Sequence, residues 1–220
     1  MKTHILLALC VFTGSTISFA QQQPGTFQLG LLAGPNYSHL GESILFASNQ
    51  LEHKGKIALI GAFGVSSKYQ FEKFYLATNF LFENKRSATT FTNYPNNLPN
   101  EPAEEFLFKE NRRYLSIPIL IGINLKETGL FLNTGPNLGI LLKHTYRGDG
   151  VRYSSYSDAK NLSLGLSLGL GYARAISSQI GLSCEMRHNF NLHDSNKSLR
   201  DGKINTSNLL FGIHYSLADK

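Results

Sequence analysis

Leucine recurs at every second position from Leu162 to Leu170 in the stretch NLSLGLSLGLGYAR, and only Ser163, Gly165, Ser167 and Gly169 stand between. A period of two places all the leucines on one face of an extended strand, with Tyr172 continuing the series. The same alternation sets Leu115, Ile117, Ile119, Ile121, Ile123 and Leu125 against Ser116, Pro118, Leu120, Gly122 and Asn124. It also sets Leu130, Leu132, Thr134, Pro136, Leu138, Ile140 and Leu142 against Phe131, Asn133, Gly135, Asn137, Gly139, Leu141 and Lys143. Runs of this kind predict eight strands, near 26–39, 56–69, 73–86, 112–125, 129–144, 161–174, 178–192 and 205–217. Short links at Gln70–Glu72, Lys126–Thr128 and Ala175–Ser177 alternate with longer ones at 40–55, 87–111, 145–160 and 193–204. Pro95, Pro99 and Pro102 mark the second long link as loop, although its end, EEFLFKEN, is able to extend a strand.

An even set of alternating strands, with short turns at one end and long loops at the other, predicts an all-β fold. The expected architecture is an eight-stranded antiparallel up-and-down transmembrane β-barrel, closed so that no backbone group is left unpaired in lipid. A soluble eight-stranded barrel is the rival, and it would show water a polar face. Here the non-apolar face is poor in charge and rich in glycine and serine, which favours lipid on the apolar side. Pro35, Pro118 and Pro136 each remove a ladder donor. Pro118 and Pro136 fall nearly level on neighbouring strands, which predicts a bulge there. Gly-Pro-Asn occurs at 34–36 and again at 135–137, four strands later, an echo compatible with duplication of a half-barrel.

The 220 residues suit one domain behind a leader. MKTHILLALCVFTGSTISFA has a basic start, a short apolar run and a small-residue end, so 1–20 reads as a signal peptide and 21–220 as the barrel domain. The run is too short to span a bilayer as a helix. Removing the leader removes Cys10 and leaves Cys184 alone, so no intrachain disulfide is expected. The net charge of +6 is dispersed along the chain, which does not suit nucleic acid and does suit an anionic membrane surface. The expected location is the outer membrane of a Gram-negative bacterium. Basic residues gather toward the long-loop end, and Arg112, Arg113, Arg147, Arg152 and Arg200 are expected to face lipopolysaccharide phosphates. Tyr69, Tyr75, Tyr172 and Tyr215 toward one rim, and Tyr37, Tyr114 and Tyr146 toward the other, suggest two aromatic girdles.

By parity, Glu83, Lys85, Lys143, Glu185 and Arg187 point inward. Eight strands leave room only for side chains, so these residues read as an ion-pair network filling the lumen. A gated pore whose pairs rearrange is the alternative. Counting back through the turn near 175–177 sets Glu185 and Arg187 beside Gly165 and Ser167. His214 and Ser216 lie two apart on one face, as in lipid A deacylase barrels, yet parity turns both toward the lumen and no acid is placed beside them. His188 and His193 fall on opposite faces of a strand, so no metal site is expected. No cofactor motif is present: the glycine runs lack the helix and Lys-Ser/Thr that nucleotide binding needs.

The segments GLLAGPNYSHL (30–40), YLSIPILIGINL (114–125), GLFLNTGPNLGILLKH (129–144) and GLSLGLGYA (165–173) resemble the PorT-like outer-membrane β-barrel family of Bacteroidota. The most specific parts are the Tyr-Leu-x-Ile-Pro entry at 114–118 and the Gly-Pro-Asn-Leu-Gly core at 135–139. The resemblance implies an exported eight-stranded barrel, with one relative tied to protein secretion, and little chemistry. The expected function is therefore a non-enzymatic structural or interaction role in the outer membrane, with lipopolysaccharide and an envelope or secretion protein as partners. A narrow channel for small solutes is the alternative, and a lipid-modifying enzyme a distant third.

Overall fold

In the computed structural model, the structure describes residues 24–40, 45–46, 49–93, 104–125, 128–148, 151–155, 162–194 and 204–217. The wall is made by β1 (Phe27–Leu40), β2 (Asn49–Gln70), β3 (Tyr75–Asn93), β4 (Glu104–Asn124), β5 (Leu130–Gly148), β6 (Leu162–Ala175), β7 (Ile180–Asp194) and β8 (Ile204–Leu217). Each strand pairs antiparallel with the next, and β8 returns to β1 with Phe27 opposite Leu217, so the sheet closes. Two short segments, Leu45–Phe46 on β2 and Val151–Ser155 on β5, add pairing at the long-loop end.

Tight turns fall at 71–74 and 176–179, each within two residues of its expected place. Leu125 N donates to Leu130 O at 2.8 Å where β4 gives way to β5, with 126–127 of the expected link at Lys126–Thr128 outside the described residues. Gly129 takes φ 74°, in the left-handed region where a Cβ is strained, and Thr128 Oγ1 accepts from Leu130 N at 3.1 Å to hold that turn. β2 to β5 run further outward than alternation alone predicts, absorbing 49–55, 87–93, 104–111 and 145–148 into the wall. Pairing needs only backbone donors and acceptors, so it continues past the apolar stripe where Thr89, Thr90 and Thr92 favour extended backbone.

Burial is inverted relative to a water-soluble barrel. Leu59 is 84% exposed and Met186 62%, while Arg187 is 1% exposed. Large apolar side chains cover the outside of all eight strands, an area far beyond what a soluble monomer shows water. The leucines of 162–170 are on this outer face. Lipid is the solvent that makes it favourable. No helix among the described residues is long and apolar enough to cross a membrane; the strands do the crossing.

The bulge expected at Pro118 and Pro136 is not there. Pro118 sits opposite Asn137, and pairing resumes in the same register at Ile121 and Thr134. A proline in an antiparallel ladder removes one rung without adding a residue, so register survives. The register of β4 with β5 shifts instead between Arg113 and Tyr114. At Pro35 the ladder with β8 is regular, whereas the one with β2 shifts between Gly34 and Asn36. Both Gly-Pro-Asn segments bring their glycine close to a facing backbone carbonyl. A Cβ on Gly34 would lie 1.8 Å from the carbonyl oxygen of Leu209, and one on Gly135 would lie 2.0 Å from that of Ile119. In register, Leu209 and Ile119 are the residues opposite the two prolines. The same close approach occurs at Gly64, where a Cβ would lie 1.9 Å from the carbonyl oxygen of Phe80 and Val65 is next in the chain, so it belongs to tight strand contact at glycine and does not need the proline.

Candidate functional site

The interior is organised around three inward-facing carboxylates, two buried and one half-buried, each paired with a cation two residues on along its own strand. Glu185 on β7 takes Arg187 Nε at 2.7 Å and Nη2 at 2.8 Å. Glu83 on β3 has Lys85 Nζ at 3.5 Å, and Glu110 on β4 has Arg112 Nε at 2.6 Å. Period two puts residues i and i+2 on one face, so a Glu-x-Lys/Arg triplet makes an inward ion pair wherever parity is inward. That triplet is the signal by which Glu110–Arg112 was open to detection; sequence reading found only the other two pairs.

Neutral amides and hydroxyls link the levels. Asn133 Nδ2 donates to Glu185 Oε1 at 3.1 Å and to the Tyr75 hydroxyl at 3.2 Å. Asn79, its amide turned so that oxygen faces the guanidinium, accepts from Arg187 Nη1 at 2.7 Å. Asn189 and Asn208 both donate to Glu83 Oε1, at 3.1 and 2.7 Å, and Ser167 donates to Asn189 at 2.7 Å. Lys85 Nζ also lies 4.6 Å from the Tyr114 ring centre, a cation–π contact. Nearer the turn end, Lys68 Nζ lies 4.1 Å from the Tyr75 ring centre, and Asn124 donates to Gln70 at 2.8 Å.

Small residues on β6 make this filling fit, with a register different from the expected one. Glu185 and Arg187 face Gly171 and Gly169; Gly165 and Ser167 face Asn191 and Asn189. The β6–β7 turn at 176–179 lies beyond the expected 175–177, which slides β7 along β6. A Cβ on Gly169 would sit 2.3 Å from Asn133 Oδ1 and 2.4 Å from Glu185 Oε1, and one on Gly171 would sit 2.2 Å from the Phe131 ring. The glycine face of the leucine-striped strand is the space these side chains occupy.

Glu110 lies beyond the apolar belt, in the outward extension of β4. It also holds His144 Nε2 by a short hydrogen bond, and Ser87 Oγ donates to it at 3.3 Å. Burial pushes its carboxyl up, but the His144 hydrogen bond and the Arg112 charge outweigh burial and hold it at about 2. A depressed carboxylate stabilises the fold above its unfolded value and loses that contribution as pH falls through the folded one. Acidification from pH about 5 to about 2 is therefore expected to loosen the outer end first. Hydrogen exchange should quicken at 85–88 and 109–113 while 182–187 stays protected; Glu110→Gln should abolish the pH step.

Several expected placements are corrected. Lys143 does not enter the lumen: the bulge at Leu142 pairs it with exposed Arg113 and turns His144 inward. Arg112 is buried at the Glu110 level and does not face outward. Arg113 and Arg147 are exposed on the outer wall. Tyr75 and Tyr114 are not in the girdles. Each is buried inside, Tyr75 with its ring in the space left by Gly122. Tyr37, Tyr69 and Tyr215 face outward and Tyr172 is half-buried. His214 Nε2 lies 2.7 Å from Ser183 Oγ, and Ser216 accepts from Gln28 at 3.0 Å, so the two do not pair with each other. No cluster of metal-ligating side chains occurs among the described residues. Arg200 and the leader 1–20 lie outside the described residues, as do the side chains of Tyr146 and Arg152.

A lipid-facing belt around a charged, closed core is the architecture of bacterial outer-membrane barrels. Residues 19–197 match the family described as outer membrane protein beta-barrel domain. The chain belongs to this family. As an outer-membrane β-barrel protein its place is the outer membrane of Gram-negative bacteria. No curated protein matches the chain in sequence. Among solved structures it is similar to Ail, the attachment invasion locus protein of Yersinia pestis, at 14% identity over 89% of this chain and 100% of that one, with a TM-score of 0.46. It is similar to Neisserial surface protein A at 14% identity over 88% of this chain and 97% of that one, TM-score 0.41. OprG from Pseudomonas aeruginosa has 11% identity over 90% and 98%, TM-score 0.40.

Proposed function

We propose that this outer-membrane barrel is a non-enzymatic structural or interaction protein, sealed inside and active through its outer wall and loops, with lipopolysaccharide and an envelope or secretion protein as neighbours. The observation that carries the reading is the stack of three paired carboxylates, whose amide partners and facing glycines leave the lumen occupied by side chains. The secretion connection rests on the likeness of 114–125 and 129–144 to PorT-like barrels. The non-enzymatic reading is supported by the engagement of His214 with Ser183 and of Ser216 with Gln28. Export by a cleaved leader at 1–20 belongs to the same reading.

A narrow channel is the second reading, and one observation favours it. Asn36 Oδ1, Ser38 Oγ, Thr206 Oγ1 and Asn208 Oδ1 are buried without hydrogen-bond partners on the inner face of the β1–β8 pair. Buried oxygens of this kind call for water. The purified full chain in a planar bilayer is expected to show no steady openings. Reproducible conductance steps would replace the sealed interior with the channel.

A further inference from the structure

The outer wall carries an arrangement that the interior does not explain. Just beyond the apolar belt on β4 and β5, basic side chains face one another across the strands: Arg113 opposite Lys143, and Lys109 opposite Arg147. Asn111 opposite Thr145 separates the two pairs. Arg86 on β3 lies diagonal to Arg113, because Asn84 is the residue opposite Arg113 and Asn111 the one opposite Arg86. Arg86, Lys109, Arg113 and Arg147 are exposed and Lys143 half-exposed. None of the five side chains makes an ion pair with a described residue, and no acidic side chain is described on this face. Of the carboxylates on these outer strand ends, Glu83 and Glu110 are turned inward, each against its own cation, and the side chains of Glu104 and Glu105 lie outside the described residues.

Like charges directly opposite in an antiparallel pair have Cβ atoms about 5 Å apart and destabilise it. Two such pairs, about 13 Å apart along β4, call for an anion from outside the chain. The bulge makes the arrangement. Without the extra residue at Leu142, Lys143 would point into the lumen and His144 outward; bulges re-aim side chains in this way. We propose that the outer face of β3–β5 is a binding surface for the phosphorylated headgroup of an outer-leaflet glycolipid, with Arg113–Lys143 and Lys109–Arg147 as two separate phosphate clamps and Arg86 flanking the first. The inference deepens the outer-wall part of the reading above by naming the face, the residues and the group they hold. Its height fits that occupant. Leu115 and Leu142 border the clamps on the lipid side, so an acyl chain continues from a bound headgroup onto the apolar belt. The guanidinium groups of Arg113 and Arg147 present paired donors to phosphate, and the lysines add point charge.

The test titrates bisphosphorylated lipid A, and the same lipid A stripped of phosphate, into the full chain refolded in a nonionic detergent at about 150 mM salt, where long-range attraction is screened. The phosphorylated form should bind at least roughly tenfold tighter, since each cation near an anionic group contributes on that scale. Replacing Lys109, Arg113, Lys143 and Arg147 together by Gln should remove that difference. Swapping each of the four for the other basic residue should keep most of it, and Lys73→Gln in an exposed turn at the other end should change nothing. The heat-dependent gel shift of each variant reports folding. If the fourfold variant does not fold, Arg113→Gln with Lys143→Gln, and Lys109→Gln with Arg147→Gln, carry the same measurement. Equal binding of stripped lipid A, undiminished binding by the Gln variants, or full competition by millimolar inorganic phosphate would overturn the proposal. Conductance is measured without this lipid, so a sealed interior stands or falls separately.

Discussion

Alanine in place of Arg187 is expected to lower the unfolding free energy of the barrel by about 3–5 kcal/mol, the scale seen when one partner of a buried ion pair is removed. The guanidinium holds Glu185 through two hydrogen bonds and also donates to Asn79, so its loss strands a carboxylate buried to 6% exposure and an amide oxygen. Urea unfolding in lipid vesicles measures it. Pairing the change with Glu185→Gln should recover most of the loss, because the stranded charge is then gone. The same number bears on function. If water filled the lumen as in an open pore, the pair would behave like a surface ion pair, worth at most about 1 kcal/mol. A loss that small would sink both the prediction and the sealed interior.

Gly135→Ala is expected to cost about 2–3 kcal/mol and to weaken the heat-dependent gel shift. The added methyl would meet the Ile119 carbonyl at 2.0 Å, and that oxygen belongs to backbone fixed on both sides by the barrel. Gly34→Ala should behave alike, against Leu209. Gly169→Ala should cost less, because its contacts, at 2.3 and 2.4 Å, are side-chain atoms of Asn133 and Glu185 that shift more cheaply than backbone. Equal losses at Gly135 and Gly169 would show that the close backbone carbonyl is not what sets the cost at Gly135.

Strand number, closure and the inside–outside division were legible because period-two alternation is set by the backbone itself, and Leu162 to Leu170 display it without interruption. Glu83, Lys85, Glu185 and Arg187 followed from the same parity. The misplacements have two sources. Parity fails beyond a bulge, and the shift at Arg113/Tyr114 turned Lys143 away from the lumen where parity had placed it. Rim tyrosines were placed by height alone, which ignored face; Tyr75 and Tyr114 have inward parity and fill space left by glycine. Partners across strands depend on turn length, and an error of one or two residues at 176–179 set Glu185 and Arg187 against the wrong neighbours.

The eight strands are unequal. β2 to β5 have 22, 19, 21 and 19 residues, whereas β1, β6, β7 and β8 have 14, 14, 15 and 14. At about 3.3 Å per residue and a tilt near 40°, the longer group stands roughly 10–20 Å higher. Among the described residues the rim of the wall is thus a slope, with a front and a back when viewed down the membrane normal. A neighbour approaching in the plane of the bilayer meets a tall wall from one quarter and a low sill from another. Azimuth, which means nothing for a cylinder, becomes a coordinate that a lateral partner is able to read.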